Sequence, residues 1–341
     1  MDDSPPPPLK LTLKPLNGIR GFAALFIVIG HIITFWVPTF AEIAAGARRY
    51  AVDLDILSAV SLFFVISGFT MVVVYDKERG DRVAPLGEWK ERKEFFVKRV
   101  ARIAPVYYLA LVVGLGQLIV YGTALDFYTI PVTLLMLQSL TYYGNGWSGP
   151  LWTVSAFVLQ YLLFVFILQR MRTHQNRTHL YIIGICFILS VLIIVLWIQF
   201  LGGWGIMFVH YFGIFRLPQF VIGMSFAFVG RRVRLSRPVL WAEIVTVLLI
   251  LNQVASAFNA FPWYNFYMEF ALPPVHGFWL MCLSQAAGKG PTSWALNTRI
   301  ARFLGEISYS LYCLHWPVLN WVCWAFAGDM NGVPVDRQNG Q

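Results

Sequence analysis

The sequence predicts an all-α polytopic membrane protein, and three observations carry that prediction. Of the 341 residues, 58% are hydrophobic and only 13% are charged, whereas soluble domains carry about 25% charged residues. Several apolar runs are long enough for a helix to cross a bilayer, which takes about 20 residues. The basic residues cluster in short polar stretches between those runs, which is a topology signal. We therefore expect a bundle of about nine transmembrane helices plus one short re-entrant or interfacial segment.

The predicted spans follow one another along almost the whole chain. One further apolar stretch, Tyr128–Leu140, is too short to span. We predict that it is re-entrant or interfacial and lies against protein, because lipid cannot satisfy irregular backbone. The predicted spans are Ile19–Val37, Ile56–Tyr75, Ile103–Tyr121, Leu151–Leu168, Leu180–Leu201, Ile206–Val229, Val239–Phe258, Phe266–Ala287 and Ile307–Ala327.

The placement of the basic residues orients this bundle. When the gaps are numbered alternately inside and outside from an inside N-terminus, all but four of the 26 Lys and Arg residues fall inside. The exceptions are Arg48, Arg49 and Arg337 in outside segments and Arg216 within a span. Counting Tyr128–Leu140 as a span would place three later basic loops outside, against the positive-inside bias. We therefore expect a cytoplasmic N-terminus in a multi-pass protein of the plasma (inner) membrane.

The chain is predicted to divide into a flexible Pro-rich cytoplasmic tail (1–17), a membrane domain (18–327) and a short C-terminal tail (328–341). The net charge of +9 comes from the inside loops, so we expect a lipid bilayer and no nucleic acid as partner. The four cysteines lie in apolar runs without a CxxC pair, and the sequence has no HExxH, no clustered carboxylates and no P-loop. No metal site is therefore predicted.

The first apolar run carries two ionisable residues, Arg20 and His31, eleven positions apart. On a helix this separation is about 20° past three full turns, so both side chains lie on one face, about 16 Å apart along the axis. Arg20 would mark one water interface, and His31 would lie near the middle of the hydrocarbon. Ionisable groups at that depth are costly and usually functional, although a hydrogen-bonded packing histidine is the alternative.

Five short strings occur in an order that resembles the membrane acyltransferase family 3. LNGIRGFAALFIVIGH resembles the arginine–histidine signature of the family's first helix. The later strings FFVISGF, FVKRVARIAPVYYL, GPLWTVS and LGEISYSLYCLHWPV resemble further family motifs. The resemblance extends from about residue 16 to 326. It implies transfer of an acyl group, commonly acetyl, from cytoplasmic acyl-CoA to a hydroxyl of a carbohydrate or other acceptor.

The resemblance also implies roles for particular residues. His31 would act as the base that accepts the hydroxyl proton, because an imidazole titrates near neutrality. Arg99 and Arg102, three apart on one side of a helix start, match the family's RxxR string and would bind the phosphates of coenzyme A. Arg20 would complete that site or orient the thioester. The alternative for the RxxR pair is positive-inside anchoring. We expect acyl-CoA as co-substrate and no permanently bound cofactor.

Further polar residues are candidates for a central cavity. Arg216, predicted about ten residues into its span, needs a partner, and Glu269 and His276 are the candidates because they are seven apart on one face of the eighth span. A structural ion pair and an active-site role both stay open. The family-like string around His315 also holds Tyr309 and Ser310. For these residues a helix-packing role stays open.

The chain departs from the family pattern at two positions, since Phe157 and Gln219 stand where many relatives have glutamate. It also ends soon after the HWP string, where relatives commonly have one more span. These departures leave three readings open: a subgroup without these groups, a different acceptor, or impaired activity. Two rival functions also stay open. One is a transporter or permease that uses buried His, Arg and Glu, and the other is a non-catalytic relative.

Overall fold

The computed structural model describes residues 9–33, 55–76, 86–121, 127–141, 149–258 and 264–327. No strand is assigned in these residues, so the predicted all-α class is confirmed. The α-helices are α1 (Lys14–His31), α2 (Ile56–Tyr75), α3 (Trp89–Tyr121), α4 (Thr129–Leu134), α5 (Trp152–Arg172), α6 (Asn176–Tyr211), α7 (Leu217–Arg232), α8 (Pro238–Ala257), α9 (Tyr264–Ala271), α10 (Pro273–Ala286), α11 (Pro291–Leu296) and α12 (Arg299–Ala327).

Among the described residues, five helical segments are long and apolar enough to cross a membrane, as expected of a membrane protein. The predicted number of about nine spans stays a prediction. Several predicted bounds agree with the structure, and α2 begins and ends at the predicted residues. The five segments are Ile56–Tyr75, Gly149–Arg172, Asn176–Leu196, Gly213–Arg232 and Pro238–Ala257.

The predicted break between the fifth and sixth spans, at residues 202–205, is wrong. Helix α6 runs 36 residues without interruption to Tyr211. Internal glycines lower helix stability by only about 1 kcal/mol each, so they need not end a helix. The chain instead turns at Gly213–Arg216, and α7 begins with a proline in its first turn. Proline suits a helix start because it has no N–H to leave unbonded there. Arg216 therefore caps α7 and does not lie ten residues inside a span.

The predicted eighth span is also interrupted. Helix α9 ends at Ala271, and α10 begins at Pro273. Two consecutive prolines, Pro273 and Pro274, account for this break, since each removes a helical hydrogen-bond donor. The break separates Glu269 from His276, so the common helix face predicted for these two residues is wrong.

The tenth apolar stretch forms two short helical pieces. Helix α4 has six residues, a turn follows at Met136, and a 3₁₀ helix covers Gln138–Leu140. The hydroxyl of Tyr107 donates to the carbonyl oxygen of Thr133 at 2.6 Å, and Ser139 is fully buried. The helical pieces are too short to span, as predicted. Several leucines of the stretch are exposed, so it lies against protein only in part, and its re-entrant or interfacial placement stays a prediction.

One end of the bundle gathers basic residues around a single carboxylate, and we name it the basic end. Asp76, which follows α2, accepts from Arg231 and lies 3.1 Å from Nε of Arg172. Ahead of α1, the backbone N–H of Leu9 donates to the carbonyl oxygen of Arg231 at 2.6 Å. The ends of α2, α5 and α7 and the approach to α1 therefore meet there. Residues 1–8 and 328–341 lie outside the described residues, so the division at residues 17 and 327 stays a prediction.

Close helix contacts position the first helix. Helix α1 packs along α12, and a Cβ added to Gly21 would lie 2.5 Å from the backbone nitrogen of Gly305. Helices α2 and α7 approach equally closely through Gly68 and Gly223. Small residues let helix backbones come near each other in membranes. The α1–α12 contact sets the Arg20–His31 face beside the helix that carries His315.

Candidate active site

His31 meets His315 across the α1–α12 contact. Nδ1 of His31 lies 3.0 Å from Nε2 of His315, and the two ring planes are inclined by 18°. Nδ1 of His315 lies 2.6 Å from the carbonyl oxygen of Tyr312. The ring of Trp316 meets His31 edge-on at 5.4 Å between ring centres. The structure therefore brings together two of the predicted site residues that are far apart in sequence.

Arg20, Arg99 and Arg102 form a second group on α1 and α3. Arg20 interacts electrostatically with both other arginines and with Tyr161. Helix α3 begins at Trp89, so Arg99 and Arg102 lie about three turns inside the helix and not at its start. Arg20 is therefore a neighbour of both arginines, while their predicted position at a helix start is wrong.

Arg99 is held by aromatic rings. Its guanidinium carbon lies 5.3 Å from the ring centres of Tyr75 and Tyr161 and 5.5 Å from that of Phe95. Its Nη2 donates to the hydroxyl of Tyr75 at 3.0 Å. Within the described part of the chain, the buried Nε of Arg99 has no hydrogen-bond partner. A guanidinium group held over several aromatic rings stays charged, and its remaining N–H groups can donate to an anion.

No ion pair to Arg20, Arg99 or Arg102 occurs among the described residues. Three guanidinium groups close together repel one another, and a bound anion would relieve that repulsion. Arginine binds phosphate oxygens through two parallel hydrogen bonds. This group is therefore chemically suited to a phosphate-bearing ligand.

A third group contains Arg216, Glu269 and His210, all of them buried. Nη1 of Arg216 lies 2.9 Å from Oε1 of Glu269, and Nδ1 of His210 lies 3.0 Å from Oε2 of the same carboxylate. The guanidinium of Arg216 also lies over the rings of Trp152 and Phe270. Of the two partners predicted for Arg216, Glu269 is therefore the one that binds it.

Sequence reasoning missed His210. The residue lies six positions before Arg216, and the turn Gly213–Arg216 folds the two side chains together, so that Nε of Arg216 donates to the carbonyl oxygen of His210 at 2.9 Å. The proline after Leu217 was the available signal, because it marks the true start of α7. His210 also interacts electrostatically with His31, so the first and third groups are neighbours.

The remaining predicted residues lie apart from these groups or have packing contacts. His276 is buried on α10, and its Nδ1 has no hydrogen-bond partner among the described residues. The hydroxyl of Tyr309 donates to the carbonyl oxygen of Ile103 at 2.9 Å, which ties α12 to α3. Ser310 is half-buried on α12. The described residues contain no cluster of three or more His, Cys, Asp or Glu that could hold a metal ion.

The two positions without the expected glutamate have different surroundings. Phe157 packs between Phe64 and Tyr161, with ring centres 4.8 Å and 6.1 Å away. Gln219 is buried, and its Nε2 donates to the backbone carbonyl oxygen of Glu269 at 3.3 Å. Gln219 therefore contacts the backbone of Glu269 on α9, whereas Phe157 belongs to an apolar cluster.

The structure shows a cavity of about 310 Å³ lined by Thr12, Lys14, Asn297, Arg302 and neighbouring residues. A second, largely apolar groove lies beside Arg170 and His174. Neither of these two cavities is lined by His31 or Arg99.

The chain matches a family model over most of its length and a curated relative over about a third. The family model Acyl_transf_3, described as an acyltransferase domain, matches residues 14–323, a range that contains all three groups. "Protein 2 in picA locus" from Rhizobium radiobacter is 38% identical over 112 residues, which are 33% of this chain. The match spans about half of that relative, 46% of its length. No solved structure gives a significant match.

Proposed function

Since this chain belongs to the acyltransferase 3 family, we propose that it is an O-acyltransferase. It moves an acyl group, acetyl in the first instance, from acyl-CoA to a hydroxyl of a carbohydrate or other extracytoplasmic acceptor. The observation that carries the proposal is the pair of chemically different groups on α1. Arg20 lies in a cluster of guanidinium groups, and His31 lies eleven residues further along the same face.

The arginine cluster supplies the donor site. Arg99 and Arg102 bind the phosphates of coenzyme A, and the aromatic rings around Arg99 hold its guanidinium group in place. Arg20, on the neighbouring helix, completes the phosphate site or orients the thioester. Arg99 bonds to the hydroxyl of Tyr75, the last residue of α2 at the basic end. Acyl-CoA therefore enters from the side where Arg172 and Arg231 also lie.

The spacing on α1 fits the length of the donor. Eleven residues of α-helix separate Arg20 from His31 by about 16 Å along the axis. The pantetheine arm of CoA, extended at ordinary bond lengths, is roughly as long. With its phosphates at the arginines, the donor therefore brings its thioester to the level of His31. The acyl group alone then passes to the far side.

The transfer needs one base. His31 takes the proton from the acceptor hydroxyl while that oxygen attacks the thioester carbonyl carbon. The tetrahedral intermediate collapses, the C–S bond breaks, and His31 returns the proton to the leaving thiolate. The products are the acyl ester and the free thiol of CoA, so protons and bonds balance. No metal or resident cofactor takes part in this step.

The bundle has a defined orientation in the membrane. The basic end faces the cytoplasm of the plasma (inner) membrane, because cytoplasmic loops carry excess Lys and Arg and because acyl-CoA is supplied there. The acceptor approaches from the opposite side, where His31, His210 and Glu269 lie. The lipid bilayer surrounds the bundle, and the hydroxyl acceptor, a glycan in the first instance, is the expected partner.

The test uses membranes that contain the protein, incubated with acetyl-CoA labelled in the acetyl group. We expect free CoA to appear together with label in a glycan or lipid-linked fraction, released by mild alkali as an ester is. Uptake of a solute into proteoliposomes without CoA release would indicate the transporter function. Saturable binding of acetyl-CoA without release of CoA would indicate a non-catalytic relative.

A further inference from the structure

The histidine pair raises the question of which nitrogen of His31 carries the lone pair. A neutral imidazole donates from one nitrogen and accepts at the other. A base works only through the accepting nitrogen, so the tautomer decides whether His31 can serve the reaction at Nε2 or at Nδ1. The partner of the second nitrogen normally sets this choice.

The hydrogen bonds around His315 determine that tautomer. Its Nδ1 lies 2.6 Å from the carbonyl oxygen of Tyr312, and a carbonyl oxygen can only accept. Nδ1 of His315 therefore carries the hydrogen, and in the neutral ring Nε2 is the acceptor. Nδ1 of His31, 3.0 Å away, must then be the donor. The lone pair of His31 is consequently at Nε2.

We propose that His315 is a positioning residue, which fixes His31 in the tautomer with a basic Nε2 and orients its ring. The inference rests on the proposed role of His31 as the base. The near-parallel ring planes, inclined by 18°, bring the two nitrogens together in a direction suited to a hydrogen bond. When His31 takes up the hydroxyl proton, its Nδ1–H still has an acceptor, so the imidazolium is stabilised without any rearrangement.

The surroundings support a positioning role over a helix-packing contact. His315 is buried, 5% exposed, and the edge of Trp316 restrains His31 from the same helix. The titratable groups near the pair include Tyr312, whose ring contacts His315, and His210, which acts on His31. Glu269 and Arg216 lie behind His210 and pair with each other. Toward Nδ1 of His31, His315 therefore takes the orienting part that a carboxylate takes in many catalytic histidine pairs.

Two nearly isosteric substitutions of His315 distinguish the role of its Nδ1 from that of its Nε2. Asparagine at position 315 keeps a donor where Nδ1 lies, so it can still bond to the Tyr312 carbonyl, but it does not reach His31. Glutamine places an oxygen near the position of Nε2 and keeps an acceptor for Nδ1–H of His31. Both variants are polar and smaller than histidine, so they disturb the packing of α12 to a similar extent.

The experiment measures kcat and KM for acetyl-CoA in the purified wild type, H315N, H315Q and H31A, with H179L as control. His179 is fully buried at the other end of the bundle, so its substitution reports the cost of losing any buried histidine. We expect H315N to lower kcat roughly 100-fold with KM nearly unchanged, and H315Q to keep kcat within about tenfold of the wild type.

Equal kcat values for H315N and H315Q, or wild-type kcat in H315N, would overturn the positioning role. If H31A is inactive in that case, His31 remains the base, but His315 does not position it. Wild-type turnover in H31A would overturn the proposed function of His31, and the inference with it. The two failures are therefore distinguishable.

Discussion

Arg216 and Glu269 form an ion pair that is fully buried, with Nη1 and Oε1 2.9 Å apart. The pair joins the turn before α7 to helix α9 and includes His210 as a second partner of the carboxylate. Removing one member of such a pair leaves an uncompensated charge in a region that water does not reach. The cost is about 3–5 kcal/mol, whereas replacing both members by apolar groups is often tolerated.

We expect R216M and E269L each to lower the thermal unfolding midpoint strongly, and the double variant R216M/E269L to recover part of the loss. Unfolding of the detergent-solubilised protein, followed by fluorescence or scattering, measures this coupling. If the losses of the two single variants simply add in the double variant, the two side chains do not act as a pair.

For the Arg216–Glu269 pair, the partner could be predicted from the sequence, but the position of Arg216 in its helix could not. A lone arginine among apolar residues needs a partner, and that argument identified Glu269 correctly. The place of Arg216 was wrong because the apolar run continues across the turn at Gly213–Arg216, and hydropathy has no signal there. The proline after Leu217 favours a new helix start at that point. The turn before it brings His210 to Arg216.

Helices α2 and α7 cross through two glycines, which gives a stability prediction. A Cβ on Gly68 would lie 2.0 Å from the carbonyl oxygen of Phe220, and one on Gly223 would lie 2.0 Å from that of Val65. G68A must therefore force the two backbones apart, and we expect a loss of several kcal/mol, comparable to severe overpacking. Thermal unfolding and the yield of monodisperse protein report the effect.

Gly184 provides the matched control, because a Cβ there meets no atom within 4 Å. Alanine is the better helix former by about 1 kcal/mol, so G184A should leave the midpoint unchanged or raise it slightly. A similar loss in G68A and G184A would mean that the α2–α7 contact is not as close as described.

Asp55 gives a pH prediction. It caps α2, accepts from the backbone N–H of Ser58 at 2.9 Å and from Nδ2 of Asn252 at 3.0 Å, and is buried. Burial raises the pKa of this carboxyl from 3.8 to about 6, although the hydrogen bonds oppose the shift. The folded protein therefore holds this proton more tightly than the unfolded chain. The resulting stabilisation, about 3 kcal/mol, is complete below pH 3.8 and lost as the pH rises through 6.

The unfolding midpoint of the wild type should consequently fall more steeply between about pH 4 and pH 6 than that of D55N, which keeps the cap but cannot titrate. The comparison of slopes removes the contributions of other groups. Parallel slopes would show that Asp55 does not titrate in this range.

Substitutions of Arg99 and of its neighbour Lys98 distinguish specific binding of the acyl donor from general attraction by a surface charge. Lys98 is exposed and pairs with Glu94, whereas Arg99 is held over three rings with its Nε unpaired among the described residues. Lysine cannot reproduce the planar fork of arginine. We expect R99K to raise KM for acetyl-CoA roughly 10- to 100-fold with kcat little changed, and K98Q to leave both constants unchanged. Equal effects of the two substitutions would argue for general electrostatic attraction instead of a phosphate site.

The candidate site could be predicted only in part. The spacing of Arg20 and His31 depends on helix geometry alone, so the sequence was sufficient to place them on one face. The contact of His31 with His315 depends on the packing of α1 along α12 through Gly21 and Gly305. Because 284 positions separate the two histidines, periodicity could not reveal that contact, although the resemblance had marked both strings.

The most direct test of the central claim is acetyl transfer by a folded His31→Ala variant that still binds acetyl-CoA. The account predicts that CoA release falls at least 100-fold while the affinity for acetyl-CoA stays close to that of the wild type, since the phosphates are held about 16 Å away. H174A, at the basic end, should retain full activity. Wild-type turnover in H31A, with acetyl-CoA bound normally, would contradict the account.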